Sequence, residues 1–183
     1  MKLAAVFEGW EGYQQSLEHA ISPLSPAQLD WRPAHHLRSL GEVIRHIALG
    51  RITWLARMQP PEIEVVSSQV SRWQQDGDGE QHVDETAVPS DSPEVLSHWL
   101  ALSWRPIQAS LATWSVDDLF QTYPHRFDGK VYSISRQWTL WRILSHDHHH
   151  GGQIATMLAI QGISAHELRA LGGHIVAPPL ATE

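Results

Sequence analysis

Apolar side chains recur at intervals of three and four residues along four long segments of the chain. The segments cover residues 3–21, 39–58, 91–114 and 135–161. This spacing follows the 3.6-residue period of an α-helix, so each segment predicts an amphipathic helix. Helices of this kind bury their apolar stripes against one another. The pattern therefore predicts an all-α fold, a four-helix bundle.

Helix boundaries are marked by capping residues and by prolines. Ser39 and Glu42 have the spacing of a capping box at the start of the second segment. Gly162 follows the fourth segment as a C-cap. Pro106 lies inside the third segment and predicts a kink or a break near Arg105, because proline lacks a backbone N–H group.

Two connections differ from simple turns. Residues 62–90 are polar and predict a long surface connection, with a helical turn near residues 65–73. Such a segment is either a solvated crossover or the border of a site. Residues 120–134, around Asp128-Gly129, predict a small β-hairpin before the fourth helix. We expect one domain over residues 1–176 and a loosely ordered tail over 177–183.

Composition excludes several classes of function. The absence of cysteine excludes disulfides, thiolate metal ligands and cysteine nucleophiles. A net charge of −7 without basic clusters argues against nucleic-acid binding. No apolar run approaches the roughly 18 residues of a membrane span, and Glu8 and Glu11 interrupt the N-terminal apolar residues. We therefore expect a cytoplasmic protein that is not attached to a membrane.

The segment at residues 145–153 contains four of the chain's 13 histidines. His146 and His150 are four residues apart, which corresponds to about 40° of rotation and about 6 Å along a helix. Both share the apolar face that carries Ile143 and Met157, whereas His148 is predicted to point outward. Two inward imidazoles at this spacing can reach one metal ion. On an arbitrary helix, two histidines at this spacing are usually exposed to solvent and bind no metal.

A third ligand is expected from a facing helix. His46 is the one histidine of the second segment and borders its apolar stripe. Three neutral imidazoles that leave positions open for water are typical of a catalytic metal site. The candidate ligands are therefore His46, His146 and His150. His149 borders the inner face and is the reserve candidate for a position on the last helix.

Weaker candidates surround these three histidines. Glu42 is either a helix cap or a proton-transfer group, and the cap is the favoured interpretation. Gln153 and Thr139 are predicted on the inner face, where they could line a pocket. Asp147 is predicted at the margin of that face as a solvated helix charge. The other histidines considered are expected to be solvated or packed: His35, His36, His82, His98, His125, His166 and His174.

The tryptophans fall into two groups. Those at core spacing are Trp10, Trp99, Trp114 and Trp138. Those that could form the wall of an aromatic pocket, although packing is the default, are Trp31, Trp54 and Trp141.

The last segment resembles a known family. Residues 146–154 read His-Asp-His-His-His-Gly-Gly-Gln-Ile, which is similar to the pattern His-Glu-x-His-His-Arg-Gly-Gln-Ile of the DinB/YfiT-like superfamily of bacterial metal-binding four-helix bundles. Residues 29–33 and 42–47 also look like this family, and the resemblance extends from Trp10 to about Gly162. Asp147 stands for the usual Glu, and Gly151 stands for Arg.

The resemblance implies a metal triad at His46, His146 and His150. It also implies zinc or nickel, and thiol-dependent transferase or isomerase chemistry. On this basis we expect a metal-dependent enzyme in which a divalent ion activates a low-molecular-weight thiol, or water, for transfer to an electrophilic small molecule. A metal-dependent hydrolase and a non-catalytic metal-binding stress-response protein are the alternatives. A homodimer formed through outer helix faces is left open.

Overall fold

The computed structural model describes residues 2–88, 92–165 and 168. The α-helices are α1 (Glu8–Ile21), α2 (Pro26–Asp30), α3 (Leu40–Met58), α4 (Ile63–Ser67), α5 (Pro93–Thr113) and α6 (Arg136–Ile160). The strands are β1 (Trp73–Gln75), β2 (Gln81–Val83), β3 (Thr122–Phe127) and β4 (Lys130–Ser135). The prediction of a mainly helical fold is confirmed, whereas the four-helix bundle arrangement stays a prediction. The expected tail at 177–183, together with His166 and His174, lies outside the described residues.

Helix α3 is the central element of the described chain. It packs against α5 and α6, and α1 packs against α5. Fully buried residues of α3, including Ile44, Ile47 and Ile52, form the middle of the core. Within the described ranges, no helix combines the length and the apolar character needed to cross a membrane.

Helix boundaries follow the predicted capping signals. The Ser39 hydroxyl accepts a hydrogen bond from the Glu42 amide, and the Glu42 carboxylate accepts one from the Ser39 amide at 2.6 Å. Of the two outcomes predicted near Arg105, the break does not occur, because α5 continues through Pro106, and the kink stays a prediction. Pro106 is buried, so its packing outweighs the missing backbone hydrogen bond.

Three of the four tryptophans predicted at core positions are buried, namely Trp10, Trp99 and Trp114. The prediction for Trp138 is wrong, since its side chain is 47% exposed. Trp138 lies in the first turn of α6, where its ring packs against Trp54 of α3 and borders an open cavity that leaves the rest of the ring exposed.

The predicted hairpin at residues 120–134 is confirmed as the antiparallel pair β3–β4. Asp128 and Gly129 form its turn with φ values of 51° and 68°, the left-handed conformation that both central residues of a type I′ hairpin turn require. The connection at 62–90 contains a second hairpin, β1–β2, which the sequence analysis missed. The turn residues at 76–79 were its signal. The Asp78 carboxylate accepts hydrogen bonds from both turn amides of the other hairpin, at 2.8 Å each.

Helix α1 approaches α6 closely at Gly151. The Tyr13 hydroxyl donates a hydrogen bond to the Asp147 carbonyl at 3.2 Å. A Cβ atom on Gly151 would lie 1.6 Å from the Tyr13 hydroxyl oxygen, whereas one on Gly152 would meet nothing within 4 Å. Gly151 is therefore required by the position of α1.

Replacing Gly151 with alanine should lower the free energy of unfolding by about 1–3 kcal/mol, because Tyr13 must move. The matched variant Gly152→Ala lies one residue further along the same helix. It should be neutral or stabilising by up to about 1 kcal/mol, since alanine is the better helix former. Urea unfolding of both variants measures the difference. Equal stabilities would show that α1 does not pack as described.

Candidate metal centre

Three histidines from two neighbouring helices come together beside the core. His46 lies on α3, while His146 and His150 lie one turn apart on α6. Their ligand nitrogens all lie within 4.8 Å of one another, and the Nε2 atoms of His46 and His146 are 3.1 Å apart. All three side chains are half-buried. The structure thus brings together the three residues that the sequence analysis selected.

The outer ring nitrogens of two of these histidines are hydrogen-bonded. The Nδ1–H group of His46 donates to Glu85 Oε1 at 2.7 Å, and Arg38 Nη2 donates to the same oxygen at 3.0 Å. The Nδ1–H group of His150 donates to Gln153 Oε1 at 2.8 Å. Because the carboxylate and the amide oxygen can only accept, the Nε2 atoms of His46 and His150 keep their lone pairs. This arrangement orients imidazoles as metal ligands.

The weaker candidates take supporting positions. Gln153 is exposed and lines a cavity beside the cluster, as predicted, and its amide also donates to His149 Nε2 at 3.2 Å. His149 is exposed and does not belong to the three-residue group described above. Glu42 forms the capping box, which supports that interpretation. Thr139 is fully buried against the Tyr123 hydroxyl, and His148 points outward as predicted.

The prediction for Asp147 is wrong. Its side chain is 0% exposed instead of solvated. Arg51 on α3 donates to its carboxylate through Nε and Nη2, the latter at 2.8 Å, and Trp10 Nε1 on α1 donates at 2.9 Å. Arg51 Nη1 also donates to Gln14 at 2.6 Å. A helical projection gives only the direction of a side chain around the helix axis. It did not show that α1 covers the side of α6 from which Asp147 projects.

This ion pair adjoins the histidine cluster along both helices. Asp147 follows His146 directly, and Arg51 follows His46 by five residues. Gly50, on α3, faces the His146 ring of α6. A Cβ atom on Gly50 would lie 3.0 Å from the Cε1 atom of His146. The close approach of α3 and α6 at Gly50 thus restricts the position of the His146 ring.

The polar residues that support the cluster were not predicted from the sequence; they are Arg51, Glu85 and Arg38. Arg51 had a signal, because an arginine among the apolar positions of a central helix needs a buried acidic partner. Glu85 lies in the long connection, and its only signal was that such connections often border sites.

The surroundings of the cluster favour neutral imidazoles. Burial, followed by the neighbouring His150 and His46, lowers the pKa of His146 to about 3. Burial also lowers the pKa of His150, against the hydrogen bond to Gln153. The hydrogen bond from His46 lowers the pKa of Glu85, so this carboxylate stays ionised. Three imidazole donors, two of them with fixed outer nitrogens, fit a borderline divalent ion such as zinc or nickel.

The lowered pKa values predict a pH dependence of stability for the metal-free protein. Below pH about 6.5, the usual imidazole value, the unfolded chain binds protons at His146 and His150 that the folded chain does not bind. The free energy of unfolding is therefore not reduced by these two histidines above that pH, and it decreases as the pH falls towards 3. Urea unfolding between about pH 7.5 and 5 should show a shallower decline for His146→Ala than for wild type. Parallel curves would contradict the prediction.

A cavity of about 670 Å³ borders the cluster. His150 and Gln153 lie in its wall together with Arg38, and its apolar lining includes Val43 and Met157. A volume of this size holds a small organic molecule. The histidine cluster therefore adjoins a space that a substrate could occupy.

These features define a class: a mainly helical protein with a candidate three-histidine metal centre beside a cavity. The model of the DinB superfamily matches residues 10–154, and the chain belongs to that superfamily. Its fold is similar to the crystal structure of a DinB-like protein from Bacillus cereus ATCC 10987, with a TM-score of 0.57 and 16% sequence identity. That similarity covers 86% of this chain and 91% of the other. No curated protein matches the sequence.

Proposed function

We propose that this protein is a metal-dependent enzyme that transfers a small thiol, or water, to an electrophilic small molecule. His46, His146 and His150 would hold the ion, zinc or nickel. The observation that supports this most is the convergence of three imidazoles beside a cavity of about 670 Å³. A bound divalent ion supplies Lewis acidity, which lowers the pKa of a thiol or of water.

The chain's own residues have separate tasks in this proposal. Glu85 and Gln153 hold the rings of His46 and His150 through their Nδ1–H groups. Val43 and Met157 provide apolar contact for the substrate and exclude water. Arg38 presents a guanidinium at the same cavity, where it can orient an acidic group of the substrate or the thiol. Because the chain lacks cysteine, a sulfur nucleophile must come from a cosubstrate.

The test is a conjugation assay with purified protein loaded with Zn²⁺ or Ni²⁺. Bacillithiol, mycothiol and glutathione are each offered with 1-chloro-2,4-dinitrobenzene and with an activated ester. We expect a thiol-dependent rate that is lost after chelation and in His146→Ala. Ester cleavage without a thiol would instead indicate the hydrolase. Full metal occupancy without either reaction would indicate the non-catalytic binding protein.

We further propose a cytoplasmic location and a small molecule, rather than nucleic acid or a membrane, as the partner. The net charge of −7 supports the exclusion of nucleic acid, because phosphate binding requires clustered positive charge. Salt-dependent binding to duplex DNA would contradict this. The proposal is compatible with a homodimer, which sedimentation measurements would detect.

A further inference from the structure

A second cavity, of about 680 Å³, lies between α3, α6 and the β3–β4 hairpin. Its lining includes aromatic and arginine side chains: Trp54, Trp138, Tyr132, Arg57, Arg126 and Arg142. As formed by the described residues, its wall contains none of the three candidate metal ligands. It is therefore separate from the cavity beside His150.

Aromatic rings form one side of this cavity. The rings of Trp54 and Trp138 have centroids 5.4 Å apart, and His125 lies 5.2 Å from Trp54. Trp138 and Tyr132 are 47% and 44% exposed. Large aromatic side chains that stay exposed around a concave surface are typical of a ligand site, because a ligand would remove their apolar area from water.

Guanidinium groups provide the polar part of the lining. Arg57 and Arg142 place their Cζ atoms 4.7 Å and 5.4 Å from the centroid of the Trp54 ring. Arg57 is partly neutralised by Glu80, at 3.5 Å. Within residues 2–88, 92–165 and 168, no carboxylate forms an ion pair with the side chain of Arg142 or Arg126.

Acidic groups offset only part of this positive charge. Asp76 lies in the wall, where its carboxylate accepts hydrogen bonds from the amides of Asp78 and Glu80. His125 is 8% exposed, and its Nδ1 atom forms no hydrogen bond, although Glu80 Oε2 lies 3.5 Å away. Three arginines in the wall against two carboxylates, Asp76 in the wall and Glu80 beside Arg57, leave this cavity electropositive in a chain whose net charge is −7.

We propose that this cavity binds a small planar aromatic carboxylate. Its ring would pack against Trp54 and Trp138, and its carboxylate would accept hydrogen bonds from Arg142 and Arg126. Arg142 precedes His146 by one helical turn, about 6 Å along α6. The ligand would therefore lie next to the metal centre without contacting the three histidines.

The experiment is calorimetric titration of the metal-free protein with 2-naphthoate, and with 2-naphthalenemethanol as the neutral control. We expect naphthoate to bind at least about tenfold more tightly than the alcohol, because a charge-assisted hydrogen bond contributes that much or more. Arg142→Gln should weaken naphthoate binding about tenfold. Trp138→Ala, at an exposed position, should weaken binding of both probes.

Two matched variants test whether naphthoate binds in this cavity rather than elsewhere on the protein. Arg105→Gln removes the same charge from an exposed arginine of α5 that pairs with Glu62 at 2.7 Å, and it should leave naphthoate affinity unchanged. Arg38→Gln tests the other cavity and should also have no effect. Equal affinity for the two probes, or no binding, would overturn the proposal. A loss of binding in Arg38→Gln but not in Arg142→Gln would also overturn it.

The proposal does not depend on the metal-dependent function. His150→Ala should bind naphthoate with wild-type affinity, because His150 lies outside this cavity. Loss of naphthoate binding in that variant would overturn the inference. Conversely, a failed conjugation assay together with intact naphthoate binding would refute only the proposed enzyme.

Discussion

The variant Asp147→Ala is expected to lose about 3–5 kcal/mol of its free energy of unfolding, because the mutation leaves Arg51 charged and unpaired in the core. Both side chains of this ion pair are 0% exposed. The carboxylate accepts from Arg51 and from Trp10, so α3 and α1 both lose a partner. Chemical denaturation followed by circular dichroism measures the effect.

Two further variants identify the cause of that loss. Asp117→Ala removes an exposed carboxylate and should change stability by less than about 0.5 kcal/mol. The double variant Arg51→Met with Asp147→Leu removes both charges and should recover a large part of the loss. A double variant as unstable as Asp147→Ala would show that shape, rather than an unpaired charge, causes the effect. Wild-type stability of Asp147→Ala would contradict the buried pair itself.

The helices could be predicted from the sequence because their information is local. Apolar spacing and the capping box at Ser39 depend on residues within a few positions of one another. The hairpin turn at Asp128-Gly129 is local in the same way. The hairpin β1–β2 was missed because its two short strands show little alternation of apolar and polar residues, and only its turn residues were a signal.

The candidate site could be predicted as far as helical geometry reaches. His146 and His150 share a face because of their spacing, and His46 completes the group because α3 packs against α6. Asp147 was misassigned because its partners, Arg51 and Trp10, lie 96 and 137 residues away in the chain. Glu85 was missed for a similar reason, since 39 residues separate it from His46. Contacts of this kind depend on tertiary packing, which no periodicity encodes.

The second large effect is expected for metal binding: His146→Ala should weaken binding of Ni²⁺ or Zn²⁺ by more than about 100-fold. Removal of a group that only orients a ligand costs about 10–100-fold, so the loss of a ligand should cost more. Glu85→Gln tests the orienting role and should fall within that smaller range. Calorimetric titration of metal-free protein, with elemental analysis after dialysis, measures both variants.

Two other histidines provide the decisive comparison. His98 is exposed on α5, and His98→Ala should bind metal as wild type does. His149→Ala should have only a small effect, because its ring meets Gln153 on the exposed side of α6. A large loss in His149→Ala with an unchanged His146→Ala would require a ligand set built on His149. That outcome would also contradict the structure, because it is His146 whose Nε2 atom lies 3.1 Å from that of His46.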